Sequence, residues 1–151
     1  MPHIHEYIDF VVSIPIIYKG KVFLIHHRKL NKWLPVGGHI ELNEDSDEAL
    51  FREVKEECGL EIEVVSQKPF LESKGTKFLH TPEFLDIHVV SESHKHIGLV
   101  YFAKAKSDKF ILNEREHSDA GWFSKKDLEK PELGLSPAIK FYAQAALDKV
   151  K

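Results

Sequence analysis

The sequence predicts an α/β fold, a central sheet with helices packed against it. Three observations carry that prediction. Segments rich in β-branched and aromatic residues recur between turn signals. An acidic segment, residues 45–58, spaces its apolar residues as a helix does. The C-terminal stretch opens on Ser136-Pro137 and repeats apolar residues at helical spacing.

In chain order, Ile8–Tyr18 reads as a buried strand that Pro15 interrupts. Lys19-Gly20 is a turn, and Lys21–His27 is the hairpin partner. Trp33–Ile40 carries too much proline and glycine for a helix and reads as a short strand or loop. Asp45–Cys58 is the first strong helix, and Gly59 is its natural C-terminal stop. Further strands are expected at Glu61–Val65, Leu85–Val90, Ile97–Ala105 and Gly121–Ser124. Lys125–Glu129 suits one helical turn. From Ser136, an N-cap followed by proline, a helix runs to about Lys149.

No repeat or low-complexity linker divides the chain, so residues 1–151 are read as one domain. A chain of 151 residues buries roughly two-thirds of its unfolded surface, enough for a core without covalent staples. Lys plus Arg number 21 against 24 Asp plus Glu, a net charge of −3, which supplies no general basic field for a nucleic-acid polymer. A phosphate ligand would therefore need local cations or a bound metal. The single cysteine, Cys58, excludes an internal disulfide and suits a reducing compartment. The N-terminus MPHIHEYIDF lacks the features of a signal peptide, and no apolar run approaches membrane-spanning length. A cytoplasmic protein, without a membrane partner, is expected.

The dense chemical signal is GHIELNEDSDEALFREVKEECGL, residues 38–60. On a helix Glu53, Glu56 and Glu57 fall within about a 100° arc, beside an apolar arc of Leu50, Phe51, Val54 and Cys58. Three like charges at that spacing destabilise a bare helix by a few tenths of a kcal/mol per pair, so a hard divalent cation is the natural counter-charge. Arg52 has the planar fork to orient a carboxylate, and Gly38, lacking Cβ, allows close approach.

The spacing G-x5-E-x7-R-E-U-x-E-E-x-G-U, with U apolar, resembles the Nudix box, and every fixed position is met, with Val54 and Leu60 at the apolar ones. The resemblance implies the Nudix fold, an α/β/α sandwich around a mixed sheet. It implies a Mg²⁺- or Mn²⁺-dependent pyrophosphohydrolase of the MutT-like kind, acting on a nucleoside di- or triphosphate or a related nucleotide by water attack at phosphorus. Glu53, Glu56, Glu57 and the Gly38 carbonyl become candidate metal ligands, with Arg52 and Glu44 as orienting residues. Relatives place the proton acceptor in the box or in a late loop. Here Asn113–Asp119 supplies Glu116 as first choice and Glu114 as second, with Glu53 or Glu56 the in-box alternative. The downstream proline, tyrosine and SQPWPFPxS marks of specialised branches are missing.

Arg28, Lys29 and Lys32 lie where substrate phosphates would approach, Trp33 and Phe84 are candidates for stacking on a base, and Gly37, Gly38 and His39 are expected to line the site. His3 with His5, and His94 with His96, form two H-x-H pairs of the kind that bind zinc, but the sequence reveals no third ligand. A monomer or homodimer is expected. The alternative function is a catalytically silent nucleotide sensor of the same fold, which the intact carboxylate set disfavours. An isopentenyl diphosphate isomerase would need a catalytic cysteine outside the box helix, where Cys58 is not.

Overall fold

The computed structural model describes residues 6–151, so the His3 and His5 pair lies outside the described residues. The strands are β1 (Ile8–Ile14), β2 (Ile16–Tyr18), β3 (Lys21–His27), β4 (Lys32–Leu34), β5 (Val36–His39), β6 (Ile62–Val64), β7 (Phe84–Ser91), β8 (His94–Val100), β9 (Ala103–Ala105) and β10 (His117–Ser124). The helices are α1 (Ser46–Glu57) and α2 (Pro137–Lys149), with single 3₁₀ turns at Asp127–Glu129 and Pro131–Leu133.

Two mixed sheets replace the one expected. The first has order β5-β1-β8-β7, the second β10-β3-β2-β9-β6 with β4 on β3. The division arises at two bends. Proline cannot donate to a ladder, and Pro15 parts β1 from β2; across from it Tyr101 and Phe102 part β8 from β9. β1 pairs parallel with β8, and β2 parallel with β9, so both segments leave one sheet and enter the other side by side. Pro35 divides Trp33–Ile40 into β4 and β5 in the same way.

Alternation on β2 and β3 sends neighbouring residues to opposite faces. Ile16, Phe23 and Ile25 join Ala49, Leu50, Val54 and Cys58 of α1. Ile17, Val22 and Leu24 join Tyr142, Ala143 and Ala146 of α2. This is the expected layering, a helix on each side of the sheets. Phe51 departs from the expected apolar arc and is exposed, its ring edge-on to His80. It lies too far round the helix to reach the sheet that Leu50 and Val54 meet. Phe84 packs with Phe102 and Tyr142 in the α2 core rather than presenting a stacking face. Among the described residues, no helix is long and apolar enough to cross a membrane.

Candidate active site

α1 starts on a capping box. Asp45 Oδ1 accepts from the Glu48 backbone N–H at 2.9 Å, and Glu48 Oε1 accepts from Asp45 N–H at 3.0 Å. The helix thus begins at a fixed residue, which sets the azimuth of every glutamate after it. Nine residues before that cap, β5 runs antiparallel to β1 with Gly37 opposite Ser13 and Gly38 opposite Val12.

Both glycines are required by closeness. A Cβ on Gly38 would overlap the Glu53 carboxylate, and one on Gly37 would overlap the Val12 carbonyl oxygen. The Glu57 Oε2 accepts from the Gly37 N–H at 3.3 Å. Strand β5 and helix α1 therefore meet through two carboxylates and bare backbone.

Arg52 fixes the remaining box residues. Its Nε and Nη2 donate to the two Glu44 oxygens at 2.7 and 2.8 Å, a bidentate pair. Nη1 donates to Glu53 at 2.9 Å and to Glu56 at 3.2 Å, and Nη2 also donates to the His39 carbonyl at 2.9 Å. One guanidinium thus ties α1, the preceding loop and the end of β5. Hydrogen bonding to Arg52 holds the Glu44 carboxyl below the usual glutamate range. Burial raises Glu53 despite the same guanidinium. Glu57 is 7% exposed, and burial, reinforced by the Glu53 charge, pushes its carboxyl up to about 9.

The Asn113–Asp119 loop is drawn to this face by backbone bonds. Ile111 N–H donates to the Cys58 carbonyl at 2.9 Å, and Asn113 N–H to the Glu57 carbonyl at 3.3 Å. Arg28 N–H donates to the Glu116 carbonyl at 2.9 Å, and Arg28 Nε to the Glu114 carbonyl at 3.0 Å. The outcome is a cleft of about 470 Å³ lined by Gly37, Gly38, His39, Glu53, Glu57 and Glu116, with Arg28, Lys29 and Arg115 as its cations.

The structure also separates residues that the sequence grouped. Glu56 is outside the cleft lining, 57% exposed on its side chain and bound to Arg52. Glu114 contributes its carbonyl to Arg28 and no side chain to the cleft. Lys32 is exposed on β4, away from the lining. Trp33 is turned into the α2 side, its ring 5.3 Å from His26 and 5.2 Å from Phe123. β4 is an antiparallel partner of β3, and neither Lys32 nor Trp33 lines the cleft.

His117 is a site residue that the sequence reading missed. Buried at the start of β10, its Nε2 is 3.9 Å from both Glu57 Oε1 and Glu116 Oε2. Neither ring nitrogen has a hydrogen-bond partner among the described residues, and burial lowers the ring below the usual histidine range. Glu57, Glu116 and His117 each bring a donor atom within 4.8 Å of the others. Its position directly after Glu116 was the only available signal. Cys58, in contrast, is a core thiol: its Sγ donates to the Val54 carbonyl at 3.3 Å, and burial pushes it up to about 11.

A buried carboxylate whose ionisation burial and its neighbour oppose, a second one pressed on a glycine and an unpartnered imidazole form an oxygen-rich donor set. Such a set fits a hard divalent ion. The comparisons with known proteins decide the family. A model of the NUDIX domain matches residues 9–145.

The chain belongs to the NUDIX family.

It is a Nudix hydrolase, an enzyme acting on phosphorus anhydrides. A NUDIX-family hydrolase from Clostridium perfringens is 34% identical, covers 95% of this chain and 98% of its own, and superposes with a TM-score of 0.80. Two more distant likenesses show the fold. The MutT NUDIX hydrolase from Burkholderia pseudomallei is 23% identical over 97% of this chain and 100% of its own, with a TM-score of 0.67. The MutT protein from Methanosarcina mazei Go1 is 19% identical over 99% of each chain, with a TM-score of 0.68. No curated protein matches the sequence.

Proposed function

We propose that this Nudix hydrolase cleaves a diphosphate linkage in a nucleoside di- or triphosphate, or a related small nucleotide, by water attack at phosphorus with Mg²⁺ or Mn²⁺. The observation that carries this reading is the convergence of Glu53, Glu57 and Glu116 on one cleft that Arg28, Lys29 and Arg115 also line. Glu53, Glu57 and the Gly38 carbonyl would hold the ion, with Glu56 at the solvent side. When bound, the ion supplies charge neutralisation and Lewis acidity to an anhydride that otherwise repels nucleophiles.

The chain's own residues supply position and proton transfer. Arg52 holds Glu53 against Gly38 while keeping its guanidinium off the substrate. Arg28, Lys29 and Arg115 meet the phosphate oxygens as charge shifts to the leaving group, a reaction that asks for electrostatic stabilisation more than covalent catalysis. Glu116, 60% exposed on its side chain, reaches solvent in the cleft and accepts the proton of the attacking water. The buried His117 Nε2 lies 3.9 Å from the Glu116 carboxylate. A protein with a single buried thiol suits a reducing, cytoplasmic setting.

The test is kinetic. Glu116→Gln is expected to lower kcat at least a hundredfold with little change in metal affinity, whereas Glu114→Gln stays near wild type. Near-normal turnover in Glu116→Gln alongside a collapse in Glu56→Gln would place the base in the box. Hydrolysis in ¹⁸O-labelled water is expected to put label in a phosphate product; unlabelled phosphates would exclude attack at phosphorus.

A further inference from the structure

The His94-x-His96 pair takes no part in the cleft, yet strand pairing surrounds it with donors from other segments. Asp9 of β1 stands opposite His96 of β8, His39 of β5 stands opposite Val11 of β1, and His88 of β7 stands opposite His96. Side chains alternate along a strand, so Asp9, His39, His88, His94 and His96 all share one face of the four-stranded sheet. The third ligand missing from the sequence is therefore supplied by a residue 85 positions earlier than His94, which only strand register could bring there.

Asp9 Oδ1 is 3.2 Å from His94 Nε2 and 3.1 Å from His96 Nε2. Asp9 Oδ2 is 3.3 Å from His39 Nε2, which is 3.2 Å from His96 Nε2. In a tetrahedral zinc site with ligand bonds of ~2.0–2.1 Å, the ligand-to-ligand edges are ~3.3 Å. The two spacings to the shared oxygen Asp9 Oδ1 match those edges, and the donor atoms of Asp9, His94 and His96 all lie within 4.8 Å of one another, while His39 reaches the other oxygen, Oδ2. Moreover, Asp9 Oδ1 is shielded from solvent and has no hydrogen-bond partner among the described residues. Two ring nitrogens lie at hydrogen-bonding distance from it but out of alignment. A buried carboxylate oxygen left in that way is costly unless something else occupies its lone pairs.

We propose that Asp9, His94 and His96 form a second metal site that binds one transition-metal ion of the zinc class, with a solvent position left for the fourth ligand. The donor chemistry separates it from the cleft. Imidazoles with one carboxylate suit Zn²⁺ and its first-row neighbours, whereas Mg²⁺ takes oxygen ligands in an octahedron. His39 also links the two sites, since its carbonyl accepts from Arg52 and its neighbour is Gly38. An ion here would tie β1 to β8, beside the strand on which the cleft glycines sit.

The test is Co²⁺ and Zn²⁺ binding to the full, metal-stripped chain. One equivalent of Co²⁺ is expected to give the intense visible absorption of a tetrahedral site, and one equivalent of Zn²⁺ to abolish it. The signal should survive in a Glu53→Gln/Glu56→Gln/Glu57→Gln variant and vanish in His94→Ala/His96→Ala. Asp9→Asn, which preserves shape, should weaken Co²⁺ binding at least tenfold; circular dichroism of each metal-free variant checks that it is folded. An undiminished signal in the folded His94→Ala/His96→Ala protein, or its loss in the glutamine variant alone, overturns the site. Neither readout uses turnover, so failure here leaves the proposed hydrolysis standing, and the reverse.

Discussion

At the scale of single residues, Glu57 is the box carboxylate whose ionisation the fold opposes most strongly, and it is a proposed metal ligand. In the metal-free native state it keeps its proton up to about pH 9, because burial and the Glu53 charge oppose ionisation; unfolded, it releases that proton near the ordinary 4.5. Between those values the native state binds more protons than the unfolded state, so stability must fall as pH rises through that window. Glu57→Gln is expected to flatten that fall and to raise the melting temperature of the metal-free protein at neutral pH, while nearly abolishing turnover. Melting curves in chelator across pH, with kinetics beside them, check both halves. Wild-type rates in the variant would overturn the role of Glu57 as a ligand. Which glutamate would be buried was not legible from residues 53, 56 and 57. Helical spacing groups all three, but only the approach of β5 covers Glu57 and leaves Glu56 in water.

At the scale of elements, the junction of β5 and α1 is where backbone and carboxylates approach most closely. Its two adjacent glycines are expected to respond differently to the same substitution. A methyl at Gly37 meets the Val12 carbonyl oxygen, backbone that cannot step aside, and Gly37→Ala should cost about 1–3 kcal/mol of stability. A methyl at Gly38 meets the far end of the Glu53 side chain, which can swing away. Gly38→Ala should therefore melt near wild type yet lose at least tenfold in metal affinity and in kcat. Urea denaturation and metal titration of both variants check the contrast, and equal stability losses would refute it. The GG dipeptide announces close approach in the sequence. What approaches each glycine is set by the partner strand for one and by the helix for the other.

For the whole molecule, the layered fold brings Gly37, Gly38, Glu53 and Glu57 to one cleft with Arg115 and Glu116, so ligand binding there should be felt as global stability. Ions that bind only the native state stabilise it by RT ln(1 + [L]/Kd), about 2.7 kcal/mol at a hundredfold excess over Kd. Mg²⁺ or Mn²⁺ is accordingly expected to raise the melting temperature of the wild type by several degrees. The Glu53→Gln/Glu56→Gln/Glu57→Gln variant should barely respond. Equal shifts in the two proteins, read by calorimetry, would move the Mg²⁺ or Mn²⁺ site away from the box.

The sequence by itself determined the box helix, its glycine stop, its clustered carboxylates and the C-terminal helix, because these rest on local spacing and on side chains that act within a few residues of themselves. It also determined the α/β class, since strand composition and proline breaks are local as well. Tertiary structure decided the rest. The splitting of two long apolar segments between sheets needed a parallel partner that bends at the same level. The loss of Trp33, Lys32 and Glu114 from the cleft followed from strand pairing and from which group of the loop meets Arg28. The arrival of His117 beside Glu57, and of Asp9 beside His94 and His96, joined residues far apart in the chain. Such contacts depend on register, and register is fixed by the burial of whole strand faces, which no short window of sequence contains.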